Sequence, residues 1–114
     1  MQANKFIGLL LESRDAMHLA HWNTQSYSQH KTLDAYYNGI LSLTDEFVEV
    51  YFGQVGRIEI VVPETRVENS PEEHLTELRN TIEEERENYT SNLQNTMDEM
   101  LSLIDQTLYL LTLS

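Results

Sequence analysis

Apolar residues recur at helical spacing along most of this chain. The first such run spans about Asn4 to His21 or Trp22. Its apolar positions include Phe6, Ile7, Leu9, Leu10, Leu11, Met17, Leu19 and Ala20. They cover more than one face, which predicts burial on two sides, in a bundle and against a neighbour. Asn23 to Ser28 is a polar turn. A second helix is predicted over about His30 to Phe52, with Leu33, Tyr36, Tyr37, Ile40, Leu41, Phe47, Val48 and Tyr51 in helical register. Gly53 and Gly56 stop it.

Residues 53–70, GQVGRIEIVVPETRVENS, form the longest connection. RIEIVV is rich in β-branched residues and reads as extended. One strand without a partner cannot form a sheet, so the segment is expected to cross over along the bundle. The third helix has a clear start: Ser70 as N-cap, Pro71 at the first helical position, and Glu73 closing a capping box. Leu75, Leu78 and Ile82 give its stripe, and the EEERE run at 83–87 is expected to be solvated. A break over Asn88–Ser91 leads to a second capping box, Ser91 to Gln94, and a last helix carrying Leu93, Met97, Met100, Leu101, Ile104, Leu108 and Leu111. The period from Leu75 to Leu111 stays nearly in phase, so one long helix fits the pattern too. Two are preferred, because a single helix leaves half its stripe uncovered. The expectation is one all-α domain over residues 1–114: an up-down four-helix bundle with a crossover link between helices 2 and 3, the ferritin-like arrangement among others.

Composition narrows the function classes. The length of 114 residues, 40% hydrophobic, suits a single modest core. No cysteine is present, which removes disulfides, thiolate metal sites and cysteine nucleophiles. The apolar run Phe6–Leu11 is too short to span a membrane and lacks a small-residue cleavage site, so a cytoplasmic protein without membrane association is expected. Net charge is −12. Residues 1–63 hold seven acids and four bases, and residues 64–114 hold twelve acids and three bases. No basic patch exists to neutralise phosphates, so direct nucleic-acid binding is not expected.

The candidate chemistry lies at residues 18–49. Three of the four histidines and the only tryptophan fall between His18 and His30, and Asp34, Asp45, Glu46 and Glu49 follow. On a helix, His30, Asp34, Asp45 and Glu49 share one narrow stripe. Asp45 lies roughly 16 Å along the axis from Asp34, at 1.5 Å per residue. Metal bonds to nitrogen and oxygen are about 2.0–2.2 Å long. His21, His30 and Asp34 therefore cannot share an ion with Asp45 and Glu49 of the same chain. Two copies packed antiparallel about a two-fold axis would bring them together, twice per dimer. Glu-x-x-His, the element of an intra-bundle di-iron site, occurs nowhere.

These residues stand as His18-x-x-His21-Trp22, Tyr27-x-x-His30, Asp34 and Asp45-Glu46-x-x-Glu49. In that form they resemble the signature of Dps, the mini-ferritins that oxidise iron at a dimer interface. The resemblance covers residues 18–49 and implies a short, diverged relative of the kind found in bacteriophage genomes. It implies metal ligation by His21, His30 and Asp34 of one subunit with Asp45 and Glu49 of its mate. His18, Trp22 and Tyr27 would lie around the site. It further implies iron as the metal, with Zn or Mn as substitutes, ferroxidase activity, and a homodimer at least, up to a dodecameric cage that stores iron. The turn between the histidines is shorter than in typical members, and the 53–70 link is too short and polar for the extra helix those carry at their two-fold. Basic tails are missing, so DNA binding is not carried over. The structural alternative makes the histidines packing residues and the acids a solvated face. The chain would then be an acidic helical interaction protein that binds a basic partner. His74 is read as a surface residue, and Glu46 as facing away from the site.

Overall fold

Short polar side chains set the helix boundaries. Ser26 and Ser70 each accept a hydrogen bond from the backbone N–H three residues on, at Gln29 and Glu73. In this computed structural model, which describes residues 1–65 and 70–113, four helices result. They are α1 (Ala3–Asn23), α2 (Tyr27–Val55), α3 (Pro71–Glu85) and α4 (Ser91–Leu111). A 3-10 turn at Arg86–Asn88 separates the last two, and no strand occurs among the described residues. The break predicted near Asn88 is thus present. The second capping box is not: Thr90 takes the N-cap position, and no side chain caps it. Helix α2 begins and ends three residues beyond its expected limits, at Tyr27 and Val55. It runs through Gly53 and stops at Gly56, where φ is 90°.

Contacts between chain ends fix the directions. Ser28 Oγ donates to the Leu113 carbonyl, and Gln54 Nε2 donates to Thr90 Oγ1. Helices α2 and α4 are therefore antiparallel. Arg79 and Arg86 of α3 and its following turn bond Asp105 and Asp98 of α4, which makes that pair antiparallel too. His74 lies beside Ser13, while Glu85 pairs with the Met1 ammonium at 3.2 Å, so α3 also opposes α1. α1 packs on α2 and α3, and α4 packs on the same two. α2 and α3 lie on one diagonal and run the same way. Joining them requires a link that climbs the bundle, and Val61, against Asn4 and Gly8 of α1, lies on that path. Its residues 66–69 lie outside the described residues.

The core contains the predicted stripes: Phe6, Ile7 and Leu10 from α1, Leu33, Ile40 and Phe47 from α2, Leu75 and Ile82 from α3, and Leu93, Met97 and Met100 from α4. It also holds polar groups that periodicity does not reveal. Ser13 Oγ lies 2.8 Å from the Tyr36 hydroxyl and 2.9 Å from His74 Nε2, all three residues being buried. His74 is therefore not a surface residue: it belongs to a hydrogen-bonded chain linking α1, α2 and α3. Nor is the 83–87 run solvated throughout. Glu85 is buried and accepts from Asn88.

The crossover explains Gly8. A Cβ built there would sit 1.7 Å from the Val61 carbonyl oxygen. The Val61 N–H donates to the Asn4 carbonyl at 3.4 Å. Only glycine lets the extended link lie this close on α1. The wide apolar surface of α1 is covered by α2, α3 and this link.

Candidate functional site

The α1–α2 hairpin is closed by its histidines. His21, in the last turn of α1, is buried, and His30 sits in the second turn of α2. His21 Nδ1 lies 2.6 Å from the His30 carbonyl, and His30 Nδ1 lies 2.8 Å from the His21 carbonyl. A carbonyl only accepts, so both Nδ1 atoms carry the proton and donate. The His21 carbonyl is one of the orphan acceptors at the end of α1, and His30 satisfies it. In the neutral rings each Nε2 then holds a lone pair, with no protein partner among the described residues. A backbone carbonyl on one ring nitrogen, with the other free, is the arrangement that orients a metal-binding imidazole.

The two rings stack, with centroids 3.6 Å apart and planes 17° from parallel. Lone pairs lie in the ring planes, and these planes run nearly parallel, one above the other. They do not converge on one ion at bond lengths of about 2.0–2.1 Å. The pair suits two neighbouring ions, one per imidazole, or needs one ring to swing before both reach the same ion.

Asp34 follows one turn after His30. Its Oδ1 accepts from the Tyr37 hydroxyl at 2.5 Å. That bond is the main reason its carboxyl is held below the ordinary value of 3.8, with the His21, Lys31 and His30 charges adding to it. The same bond pushes the Tyr37 hydroxyl up. Tyr37 also stacks on His18, with centroids 4.1 Å apart, and the Arg14 guanidinium lies over the Tyr37 ring, 5.5 Å from its centre. Burial, and then the Arg14 charge, lower the His18 pKa. Tyr37 is the residue the sequence pattern missed, since it reads as core. The signal was its position three residues after Asp34, on the same helix face.

Trp22 is 64% exposed and Tyr27 is 75% exposed, so neither packs into the core. Their rings touch His18 and His30 from the solvent side, at centroid distances of 4.1 Å and 6.3 Å. Asp45, Glu46 and Glu49 are all exposed farther along α2. Among the described residues, no three His, Asp or Glu side chains of one chain come together so as to hold a metal ion. The structure thus gathers His18, His21, His30 and Asp34 at one end of the hairpin and leaves Asp45 and Glu49 apart. The donor types fit a hard or borderline cation. The number of donors within one chain does not complete a site. No helix among the described residues is long and apolar enough to cross a membrane.

Comparison with known proteins adds relatives of equally open function. An uncharacterized 14.6 kDa protein in the mobD-ri intergenic region of Enterobacteria phage T4 is 28% identical over 116 aligned positions, covering 98% of this chain and 89% of the relative. No solved structure matches significantly. The model of a family of unknown function, DUF5856, matches residues 21–111, from His21 through Glu49 to the end of α4. The chain belongs to the DUF5856 family.

Proposed function

We propose that the chain binds Fe(II) between two copies of itself and promotes its oxidation, in the manner its resemblance to Dps implies. The observation that carries this reading is the reciprocal pair of Nδ1–carbonyl bonds between His21 and His30. It fixes both tautomers and leaves the Nε2 lone pair of each ring free, with Asp34 one turn farther along α2.

The pattern of exposure on α2 supports a two-chain site. Asn38, Leu41, Asp45 and Glu49 are exposed and continue the line of Asp34 along one face. His30 and Glu49 are equidistant from the midpoint between Gly39 and Ile40, and so are Asp34 and Asp45. An antiparallel pair of α2 helices centred there sets His30 against Glu49 of the partner subunit and Asp34 against Asp45 of the partner subunit. The two-fold repeats both meetings. Leu41, 39% exposed, lies at the centre of that contact. The helix directions, with α2 and α3 parallel, support the ferritin-like arrangement.

In this reading the imidazoles bind the incoming ion, and the carboxylates favour it more as its charge rises to Fe(III). Tyr37 holds Asp34 ionised and oriented. Oxygen or peroxide takes the electrons. Zn(II) or Mn(II) fits the same donors. A closed assembly would also store the product.

The test is anaerobic Fe(II) titration followed by native mass spectrometry, comparing the natural chain with Asp45→Asn and Glu49→Gln. These exposed residues can be neutralised without disturbing the hairpin. Iron uptake confined to a dimer or larger assembly, and weakened at least tenfold in both variants, supports the site. Equal uptake in both variants, or none in the natural chain, refutes it. The histidine clasp is then purely structural, and the acidic interaction protein becomes the leading reading.

A further inference from the structure

We infer, resting on the two-chain reading of the metal site, that Tyr37 is a positioning residue that sets metal specificity: it keeps Asp34 to one free carboxylate oxygen and so favours a first-row transition-metal ion over Ca(II).

Tyr37 meets the hairpin residues from several directions. Its ring is buried. His18 stacks on it, with planes 15° from parallel, and His21 meets it edge-on at a centroid distance of 5.4 Å. The Arg14 guanidinium lies over the same ring. Arg14 Nε is buried without a hydrogen-bond partner, so the guanidinium is held by the ring and by its pair with Asp15. Arg14, His18 and Trp22 stand four residues apart on α1 and share a face, and Trp22 extends the stack by lying against His18. A ring clamped in this way cannot swing, so the position of its hydroxyl is set by α1 and not by Asp34.

The carboxylate adjusts to that fixed donor. Asp34 Oδ1 accepts from the hydroxyl at 2.5 Å, at the short end for a bond to an ionised oxygen. Oδ1 gives a lone pair and part of its negative charge to this bond. The Asn38 carboxamide bonds the Asp34 backbone carbonyl and leaves the side chain alone. Oδ2 is therefore the stronger donor to a cation, and the carboxylate is held against turning both oxygens onto one ion.

Cations differ in what they ask of a carboxylate. Ca(II) takes about six to eight oxygen ligands and often binds one carboxylate through both oxygens. First-row transition metals accept fewer donors, imidazole nitrogen among them, at shorter distances. An Asp34 limited to one oxygen, combined with the imidazoles of His21 and His30, suits the second class and starves the first of oxygen. A Tyr37 that served packing alone would have no such effect, because the ring contacts do not need the hydroxyl.

Tyr37→Phe keeps the ring and removes only the hydroxyl. The test is anaerobic Co(II) binding, read from its visible absorption, followed by displacement with Ca(II). Surface carboxylates that take up Ca(II) do not enter this readout. In the natural chain, Ca(II) is expected to displace Co(II) only at large excess. In Tyr37→Phe the Ca(II) needed for half displacement should fall about tenfold, the size of effect expected for a group that orients a ligand. The Co(II) bands should weaken as the coordination number rises, while the native mass and the circular dichroism stay unchanged. Asp34→Asn should itself weaken Co(II) binding, and adding Tyr37→Phe to it should change nothing further, because Tyr37 acts only through Asp34. Identical Co(II) spectra and Ca(II) displacement curves in the natural chain and Tyr37→Phe overturn the role of Tyr37 and leave the two-chain site standing. A further loss on adding Tyr37→Phe to Asp34→Asn does the same. A natural chain that binds no Co(II) overturns the two-chain site, and the role of Tyr37 with it.

Discussion

Replacing Gly8 with alanine sets helix propensity against tertiary packing. Gly8 lies inside α1, where alanine is favoured by about 1 kcal/mol in an isolated helix. In the folded chain the new Cβ would stand 1.7 Å from the Val61 oxygen and 2.8 Å from its carbon, and both are backbone atoms. Neither can turn aside as a flexible side chain would, so the link must retreat by about 1.5 Å or more to reach ordinary contact. That movement breaks the Val61–Asn4 hydrogen bond, at about 1 kcal/mol. It also half-uncovers Ile58 and Ile60, at about 1 kcal/mol each. Set against the propensity gain, the net loss is about 2 kcal/mol. At about 4 °C per kcal/mol for a domain of this size, the melting temperature should fall by about 8 °C. Thermal and urea denaturation followed by circular dichroism measure this directly. A Gly8→Ala variant as stable as the natural chain, or more so, would show that the link does not rest on α1 here. The account of Gly8 would then fail.

Three further outcomes follow from the same geometry. Ser13→Ala strands the buried Tyr36 hydroxyl, whose pKa burial has already raised well above the ordinary value of 10.0, and should cost about 2–3 kcal/mol in urea denaturation. Tyr36→Phe leaves Ser13 its bond to His74 and should cost less, so a double variant that costs the full sum of the two would argue against a shared chain of bonds. Gly56, at φ 90° and ψ 171°, has nothing within 4 Å of a built Cβ, so Gly56→Ala and Gly56→Asn should each lose about 1–3 kcal/mol through backbone strain alone; a neutral asparagine variant would contradict this. The folded-state pKa of Asp34 lies below its unfolded value of 3.8, so its contribution to stability is complete above that value and is lost as pH falls through the folded one. Asp34→Asn should therefore flatten the acid limb of a stability–pH curve, and an unchanged limb would show that the Tyr37 bond does not form in solution.

The candidate site was legible where its pattern is local. His21, His30 and Asp34 share the hairpin end because a short turn and a helical repeat dictate it. Asp45 and Glu49 were separable from them by rise per residue alone. The stacking of the two imidazoles and their reciprocal hold on each other's carbonyls were not legible. Each depends on the crossing of two helices, which no linear spacing encodes. For the same reason Trp22 and Tyr27, aromatic residues beside a turn, proved to lie outside the core.

The sequence by itself determined the apolar faces of the helices and the Ser70–Pro71 start of α3, and it favoured without deciding the break between α3 and α4. These follow from backbone sterics and from periodicity within one or two turns. Tertiary structure alone decided that His74 is buried rather than exposed. A histidine in the first turn of an acidic helix looks solvated until Ser13 and Tyr36, far away in sequence, arrive to receive it. It likewise decided that Glu85 leaves the charged run for the interior, and that Gly8 exists to admit a strap 53 residues later in the chain. Contacts across such separations form only when the hydrophobic faces of separate helices close on one core. Their partners are chosen by that closure and not by neighbours in sequence.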